Sequence, residues 1–229
     1  MSKNTPLIAI QHVSKQYDNG LIKALSDVDF EIQKGFMYAL EGPSGCGKST
    51  LLNIIGTLDT ATSGSVLYEG KVQNQLTNLH DFRRDFIGFI FQFHHLIPTL
   101  TLRENIESAM LFNKSYSKVQ RKEKVNKLLK EFALSHRENS YVTHLSGGER
   151  QRGAIARAFA NEPRLILADE PTGNVDSNNA KIILQMMQKY IKETNATILI
   201  ATHDPIVSSY ADYNIIMQDG KIISQKSSR

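Results

Sequence analysis

A glycine-rich segment in the first quarter of the chain constrains the fold more than any other feature. The pattern of phosphate-binding loops, G-x-x-x-x-G-K-S/T, is matched at every fixed position by Gly42-Pro43-Ser44-Gly45-Cys46-Gly47-Lys48-Ser49. An apolar stretch ends at Leu40, and apolar residues follow the segment at helical spacing, at Leu51, Leu52, Ile54 and Ile55. The sequence therefore predicts the strand, loop and helix that such a loop requires. The alternative is a glycine-rich surface turn.

The residue types of this segment predict how it binds phosphate. Its glycines allow positive φ angles and a close approach to a ligand, and its N–H groups form a concave anion site. The helix that begins near Gly47 adds a partial positive charge at its N-terminus. Lys48 is expected at the β- and γ-phosphates of a nucleotide and Ser49 at Mg²⁺. The predicted nucleotide-binding residues here are Gly42, Pro43, Ser44, Gly45, Cys46, Gly47, Lys48, Ser49 and Thr50.

Cys46 is the only cysteine in the sequence, which excludes an internal disulfide and suits a reducing cytosol. Its position beside Lys48 at the start of a helix predicts a reactive thiolate that maleimides modify. The alternative is that Cys46 fills a tolerant position and is packed away from solvent.

Charge and hydropathy limit the classes of protein to which the chain can belong. The net charge of +4 is modest, and the densest basic run, residues 118–130, also holds Glu123 and apolar residues at helical spacing. This run predicts a solvated helix face, the alternative being a nucleic-acid patch. Residues 1–13 show no secretory signal, and no apolar run approaches 18 residues. We therefore expect the protein to reach a membrane only through a partner.

Strand and helix patterns alternate along the chain and predict an α/β fold. Strands are expected at residues 7–13, 24–32, 36–41, 87–91, 165–168 and 197–201. Residues 64–72 predict strands around a Glu69-Gly70 turn, and the chain ends in a hairpin through Asp219-Gly220. Helices are expected at about residues 101–112, 117–132, from 146 onward and 177–193, the first with a capping box of Thr101 and Glu104.

This layout predicts a single domain over residues 1–229. Its P-loop NTPase core, residues 1–92 and 161–229, combines a parallel sheet with an N-terminal antiparallel β region. A helical subdomain is inserted at about residues 93–160.

A second segment narrows the family. Leu145-Ser146-Gly147-Gly148-Glu149 precedes Arg150-Gln151-Arg152 and opens a helix. With this segment the chain resembles the ATP-binding cassette (ABC) ATPases, whose signature is LSGGE or LSGGQ, over nearly its whole length and with the elements in the family's order. The resemblance implies that Ser146, Gly147, Gly148 and Glu149 serve the ATP of a second copy of the chain. An N-capped helix by itself explains Ser146 but not two consecutive glycines.

An apolar strand that ends in two carboxylates, Leu165-Ile166-Leu167-Ala168-Asp169-Glu170, looks like the family's Walker B motif. A buried strand that delivers carboxylates at its C-terminal end places them beside the phosphate loop. The resemblance implies that Asp169 holds Mg²⁺ and that Glu170 polarises the attacking water as general base. The alternative is a strand that ends in a polar turn.

The resemblance assigns roles to five further residues. Gln92 matches the Q-loop glutamine that senses Mg²⁺ and water, and His203 matches the switch histidine that contacts the γ-phosphate. Asp176 lies in a segment that resembles the D-loop. Tyr17 matches the aromatic residue that stacks on adenine, with Ile22 packed nearby. The alternatives are a surface glutamine at a strand end and a tyrosine of the core.

Two positions depart from the family's pattern. Val175 stands in the D-loop-like segment where leucine is more usual, and Gly153 lies inside the helix after the signature, where the family has a larger apolar residue. A glycine in a helix interior costs about 1 kcal/mol relative to alanine. Close packing against a neighbouring element would explain Gly153.

The segment around Gln92 is unusually apolar for a loop, with Phe91, Phe93, Leu96, Ile97 and Leu100. It predicts either core contacts or a docking groove for a membrane partner. His94 and His95 are adjacent here, but no spaced Cys or acidic cluster accompanies them, so no metal site is predicted.

The resemblance implies an ATPase subunit that uses ATP and Mg²⁺ to power a membrane transporter. Two copies would pair head to tail, and an integral membrane permease would hold them at the cytoplasmic face of the inner (cell) membrane. No nucleic-acid partner is expected. Residues 56–59, 62–64 and 170–174 look like the branch of lipoprotein-releasing and macrolide-exporter ATPases. A lipoprotein-releasing subunit is our first choice, a macrolide or peptide exporter the second and a cell-division ATPase the third.

Two other classes stay open. A soluble ABC ATPase that acts on DNA or ribosomes usually carries a long coiled-coil insertion or two cassettes in one chain, and this sequence contains neither. A phosphoryl-transfer kinase would not need the segment of residues 146–149. The sequence names neither the cargo nor the direction of transport, because the permease holds that specificity.

Overall fold

Two β-sheets organise the fold. The structure is a computed structural model that describes residues 5–228. Its strands are β1 (Ile8–Tyr17), β2 (Ile22–Ile32), β3 (Met37–Glu41), β4 (Ser63–Tyr68), β5 (Lys71–Val72), β6 (Ile87–Ile90), β7 (Leu165–Asp169), β8 (Thr197–Thr202), β9 (Tyr213–Gln218) and β10 (Lys221–Ser227). Its helices are α1 (Lys48–Ile55), α2 (Leu79–Phe86), α3 (Leu102–Ser108), α4 (Lys118–Glu131), α5 (Gly147–Phe159), α6 (Ser177–Thr194) and α7 (Pro205–Tyr210). The predicted α/β fold is confirmed.

The N-terminal sheet is antiparallel, with the strand order β2–β1–β4–β5. Ile8 in the central strand β1 pairs with Ile32 on one side and with Tyr68 on the other. In β2 the buried residues Val28, Phe30 and Ile32 alternate with exposed ones, the two-residue period of a strand with one face in the core. The predicted antiparallel region is therefore confirmed, and β1 runs farther than expected because register shifts carry it on to Tyr17.

The larger sheet has the strand order β10–β9–β3–β8–β7–β6. Strands β3, β6, β7, β8 and β9 run parallel, and β10 returns antiparallel to β9 as the predicted hairpin. The central strand β3 is buried on both faces, as parallel strands usually are. Tyr38 and Leu40 enter the core shared with α1 and the antiparallel sheet, whereas Met37 and Ala39 enter the core shared with the helices on the other face.

Helices α3, α4 and α5 each begin with a capping box, formed by Thr101 with Glu104, Ser117 with Gln120 and Ser146 with Glu149. The first of these was predicted. Helix α3 ends at Ser108 rather than near residue 112, because the chain tightens there into turns, with the Met110 N–H donating to the Glu107 carbonyl. The division of the chain into a core and a helical subdomain stays a prediction.

Gly153 lies where α5 meets α3. A Cβ atom at this position would lie 2.6 Å from Cδ1 of Leu102, a fully buried residue in the first turn of α3. The Leu102 side chain of α3 therefore packs directly against the backbone of α5, which contributes no side chain at this point. This contact accounts for the glycine that the sequence left unexplained.

Candidate active site

Three neighbouring parallel strands deliver polar residues to one edge of the larger sheet. Strand β3 continues into the glycine-rich loop, β7 ends at Asp169 and β8 ends at Thr202. Asp169 pairs with Ala201, and Glu41 pairs with Thr202. The residues that follow the three strands therefore lie at the same edge, as expected for the carboxyl ends of adjacent parallel strands.

A cleft of about 480 Å³ opens at this edge, a volume typical of small-molecule sites. It brings together twelve of the predicted site residues: Tyr17, Ile22, Ser44, Gly45, Gly47, Lys48, Ser49, Thr50, Gln92, Asp169, Glu170 and His203. Lys23 and Ala24, which the sequence did not single out, complete its lining. Gly42, Pro43 and Cys46 belong to the loop without lining the cleft, and the segment of residues 146–149 and Asp176 lie outside the lining set.

The glycines of the loop are required by its backbone. Gly47 has a φ of 106°, and a Cβ there would lie 2.5 Å from the carbonyl oxygen of Ala24. Gly42 has a φ of 155°, and a Cβ there would lie 2.2 Å from the carbonyl oxygen of Met217. Helix α1 begins at Lys48, directly after Gly47. The loop can therefore bend sharply and expose the unpaired N–H groups at the start of the helix to an anion.

Lys48 extends back over the loop that precedes it. Its Nζ donates hydrogen bonds to the carbonyl oxygens of Gly42 at 2.6 Å and Pro43 at 2.9 Å. Within the described residues, no carboxylate lies within 4.0 Å of this ammonium group, so its charge is not neutralised by the protein. A partly buried cation with only neutral partners is suited to pair with a phosphate.

Glu170 and His203 face each other across neighbouring strands. His203 Nδ1 lies 2.7 Å from Glu170 Oε1, and Thr202 Oγ1 donates to Glu170 Oε2 at 3.3 Å. Glu170 has a φ of 47°, a left-handed conformation that costs a non-glycine residue of order 1–3 kcal/mol. Its N–H donates to the Ala201 carbonyl at 2.9 Å, which helps to hold this turn. The predicted base and the predicted switch residue are therefore in direct contact.

Tyr17 forms the rim of the cleft and is 37% exposed. Its hydroxyl group donates to Asp59 Oδ2 at 2.7 Å, and Asp59 also pairs with Lys15. The alternative of a core tyrosine is therefore wrong. Sequence reasoning missed Lys15 and the link to Asp59, for which the alternation along β1 gives no signal.

The residues around Gln92 are held by two other parts of the chain. Asn174 Nδ2 donates to the Gln92 carbonyl oxygen at 2.8 Å. Arg157 in α5 donates to the carbonyl oxygens of His95 at 2.6 Å and His94 at 3.1 Å. Arg157 and Asn174 were not predicted, although both connect the loop after β6 to segments that the sequence did single out.

The signature segment lies at the start of α5. Ser146 is the N-cap residue, and its Oγ accepts a hydrogen bond from the Glu149 N–H at 3.3 Å. Gly147 begins the helix, and a Cβ there would meet only the carbonyl oxygen of Asn174, at 3.7 Å. The segment thus presents a helix N-terminus with no side chains at two positions, which can approach an anion closely.

Comparison with known proteins identifies the family. Residues 25–173 match the protein family described as ABC transporter. The lipoprotein-releasing system ATP-binding protein LolD of Treponema pallidum is 41% identical over 228 residues, which cover 96% of this chain and 99% of that protein. The chain belongs to the ATP-binding proteins of ABC transporters. It is therefore an ATPase, and the resemblance inferred from the sequence is confirmed.

Other ABC transporter proteins are equally similar. The putative hemin import ATP-binding protein HrtA of Staphylococcus haemolyticus is 42% identical over 220 residues, covering 94% of this chain and 98% of that protein. Among solved structures, a dimeric post-hydrolysis state of the ATP-binding cassette MJ0796 bound to ADP and Pi has a TM-score of 0.89. It is 39% identical, with 97% of this chain and 99% of that chain covered.

Two residues of this ABC ATPase have surroundings that bear on their predicted roles. Cys46 is buried, with Lys48 Nζ 4.0 Å from its sulfur atom, which favours a cysteine packed away from solvent over a thiol open to maleimides.

Asp176 caps α6 by accepting hydrogen bonds from the Asn178 and Asn179 N–H groups. These and a bond from the Asn179 side chain lower the pKa of Asp176. Its contact with nucleotide stays a prediction.

Glu149 completes the capping box at the start of α5. Its Oε2 accepts from the Ser146 N–H at 2.7 Å, and its Oε1 accepts from Arg137 Nε at 2.9 Å. The bond from the Ser146 backbone, opposed by burial and assisted by Arg137, lowers the pKa of Glu149 from 4.5 to about 2. The carboxylate is thus engaged by its own chain, and its predicted contact with nucleotide stays a prediction.

Replacing Glu149 by Gln is expected to leave the fold intact but to make its stability less sensitive to acid. Gln still completes a capping box but does not titrate. Because the folded-state pKa is depressed, the carboxylate's stabilising contribution is fully present above pH 4.5 and is lost as the pH falls towards about 2. The melting temperature of the wild type should therefore fall more steeply through this window than that of Glu149→Gln. Equal slopes would contradict the expectation.

Proposed function

We propose that this ATPase powers an exporter whose cargo is a lipoprotein, with a macrolide or peptide as the second candidate. Two relatives named as lipoprotein-releasing ATP-binding proteins carry the proposal, because they are 41% and 42% identical to this chain over nearly their whole length. The segments of residues 56–59, 62–64 and 170–174 favour the same branch. A relative named for hemin import is as similar, so hemin is an alternative cargo.

The proposed active unit contains two copies of the chain. Residues 146–149 do not line the cleft that holds the glycine-rich loop, and we infer that they face the cleft of a second molecule. Two solved relatives named for the ATP-binding cassette MJ0796 are dimeric. A head-to-tail pair with a two-fold axis would give two equal sites, each with the loop of one copy facing Ser146 of the other.

Within each site, different cleft residues would bind the phosphates, hold Mg²⁺ and activate water. Lys48 would pair with the β- and γ-phosphates. Ser49, Asp169 and Gln92 carry oxygen atoms of the kind that Mg²⁺ prefers and line one cleft, so they would hold the ion. The bound ion would neutralise charge on the phosphates. Glu170 would accept a proton from the attacking water, with His203 at the γ-phosphate.

Replacing Ser146 by Arg should block dimer closure without removing nucleotide binding to the single chain. The long, positively charged arginine side chain would enter the phosphate site of the opposite copy. The cleft of the copy that carries the substitution contains no part of the signature. Turnover should fall to background while the Kd for ATP stays within about twofold of wild type. Surviving turnover, measured as phosphate release, would rule out the composite site.

A groove beside Gln92 is the proposed contact with a permease. It has a volume of about 480 Å³ and is lined in part by Leu58, Phe89, Phe91 and Arg157. Phe93 follows Phe91 and is 74% exposed. Leu96 is only 8% exposed and packs with Val142 and Ala154, so among the apolar residues of this segment only Leu96 belongs to the core.

Among residues 5–228 no helix could span a membrane. The proposed location is the cytoplasmic face of the membrane, held there by the permease.

Replacing Phe93 by Ala is expected to release the ATPase from its permease with little loss of basal hydrolysis. Phe93 is exposed, so its truncation should leave the fold intact and remove only a contact with a partner. Ile223→Ala is the matched control, because Ile223 is also exposed but lies on β10, at the opposite edge of the sheet from β6. Purification of tagged protein from detergent-solubilised membranes would measure the permease retained.

The same purification separates the classes of function. An integral membrane permease that is retained by the wild type and Ile223→Ala, and lost with Phe93→Ala, supports the transporter. Nucleic acid or ribosomes in place of the permease would favour the soluble class of ABC ATPase. Unfolding of the Phe93→Ala protein would instead support a core role for this residue.

A further inference from the structure

We propose that Lys15 and Asp59 are positioning residues that fix the ring of Tyr17 relative to the phosphate-binding helix and thereby set the affinity for the base of the nucleotide. The proposal rests on the proposed role of Tyr17 as the surface on which the base stacks. Neither residue lines the cleft, so each acts through Tyr17. Their effect should therefore depend on whether the ligand carries a base.

The ion pair between Lys15 and Asp59 is well shielded for a pair near the surface. Lys15 Nζ lies 2.6 Å from Asp59 Oδ1 and also donates to the Thr60 carbonyl oxygen at 2.7 Å. The two side chains are 11% and 27% exposed. Such a pair is screened less than a fully exposed one, and loss of one partner leaves the other charge partly buried and unpaired.

Tyr17 is attached to both members of this pair. Its hydroxyl group donates to Asp59 Oδ2 at 2.7 Å, on the carboxylate oxygen that Lys15 does not use. Lys15 Nζ lies 4.8 Å from the centre of the Tyr17 ring, within the range of a cation–π contact. With the ammonium over one face, the ring has one face left for a base, and the hydrogen bond fixes its tilt.

Asp59 connects this cluster to the phosphate-binding helix. The N–H groups of Leu58 and Asp59 donate to the Asn53 carbonyl oxygen at 2.8 Å and 3.2 Å, so Asp59 is bound to the last turn of α1. Helix α1 is about 12 Å long at 1.5 Å per residue, and its first turn contains Lys48 and Ser49. The stacking ring and the phosphate site are therefore held by the same rigid element.

The charge state of Asp59 agrees with this arrangement. Burial opposes its ionisation, but hydrogen bonds from Lys15 and Tyr17 outweigh burial and hold the pKa of Asp59 below its ordinary value. At neutral pH the carboxylate is therefore charged and can accept from both partners.

The test compares two ligands that differ only in having a nucleoside. Calorimetry with the full chain would measure the Kd of ATP and of inorganic tripolyphosphate, each with Mg²⁺. For Asp59→Asn, and for Tyr17→Phe, which removes only the hydroxyl group, the Kd of ATP should rise about fivefold, the lower end of a base–aromatic stacking contact. The Kd of tripolyphosphate should change by less than about twofold. In the presence of Tyr17→Ala, Asp59→Asn should have no further effect on ATP, because paired residues are not additive.

Lys124 offers a matched control for the removal of a shielded lysine. It pairs with Glu162, lies over the ring of Tyr116 at 4.6 Å and belongs to α4, away from the cleft. Lys124→Met should leave both Kd values unchanged, whereas Lys15→Met should weaken ATP alone. Equal weakening of ATP and tripolyphosphate by Asp59→Asn, or an unchanged Kd for ATP, would overturn the proposal. A wild type that binds neither ligand would instead overturn the proposed nucleotide site itself.

Discussion

Replacing Glu170 by Gln is expected to lower the rate of ATP hydrolysis by ~10²–10⁴-fold, the range that a positioned general base contributes. The carboxylate contacts His203 and Thr202 at the edge of the cleft. Gln has the same shape and keeps one acceptor oxygen, but its amide does not take up a proton. The loss should therefore appear in kcat, with the KM for ATP nearly unchanged, when phosphate release is measured at steady state.

The same variant should trap the dimer. In the proposed dimer, ATP that is bound but not hydrolysed should keep the two copies together, so light scattering with Mg-ATP should show twice the mass of one chain. Asp204→Asn is the control, because Asp204 adjoins His203 but only caps α7, a task that Asn performs equally well. Wild-type turnover in Glu170→Gln, or a monomer with nucleotide confirmed to be bound, would argue against the assignment.

Replacing Lys48 by Ala is expected to abolish tight binding of ATP. Loss of one partner of a buried, hydrogen-bonded charge pair costs ~2–5 kcal/mol, which corresponds to a rise in Kd of about 30-fold or more. The free ammonium contacts only the carbonyl oxygens of Gly42 and Pro43, so its removal leaves no buried carboxylate behind. The protein should therefore fold normally, and circular dichroism can confirm this while calorimetry reports the Kd.

Lys23 provides a control for general positive charge. It also lines the cleft but is exposed and stands outside the glycine-rich loop. An exposed charge is screened by solvent, so Lys23→Ala should weaken ATP by less than about threefold. Near-normal affinity in Lys48→Ala, or an equal loss in Lys23→Ala, would contradict the phosphate-loop reading.

The parts of the site that sequence reasoning found are those coded by short contiguous segments. The glycine-rich loop, the strand ending at Asp169 and Glu170, and the N-cap at Ser146 each carry their local structure within a few residues. Parallel pairing of β3, β7 and β8 then brings the first two together, because carboxyl ends of neighbouring strands share an edge.

Two short helices, α2 and α7, were not predicted. Helices α2 and α7 have only eight and six residues, and α7 spans fewer than two turns. Their start signals were nevertheless present. The Asn78 side chain accepts from the N–H groups of His80 and Asp81, and Asp204 caps a helix whose first residue is Pro205.

Contacts between distant parts of the chain gave no signal in the sequence. The hydroxyl group of Tyr17 meets Asp59 from 42 residues away, and Arg157 binds the His94 and His95 carbonyl oxygens from more than 60 residues away. Burial of Leu96 against Val142 and Ala154 is of the same kind. One chain without relatives aligned to it carries no record of which distant residues touch.

The close contact at Gly153 bears on how movement could pass between helices α3 and α5. Side chains between two helices can absorb a relative movement by changing rotamers, and here α5 contributes no side chain to the contact with Leu102. Thr101, at the end of the loop that follows Phe93, and Ser146, at the start of α5, are attached to the two helices. We therefore expect that a partner which moves α3 through the loop after Phe93 would also move Ser146.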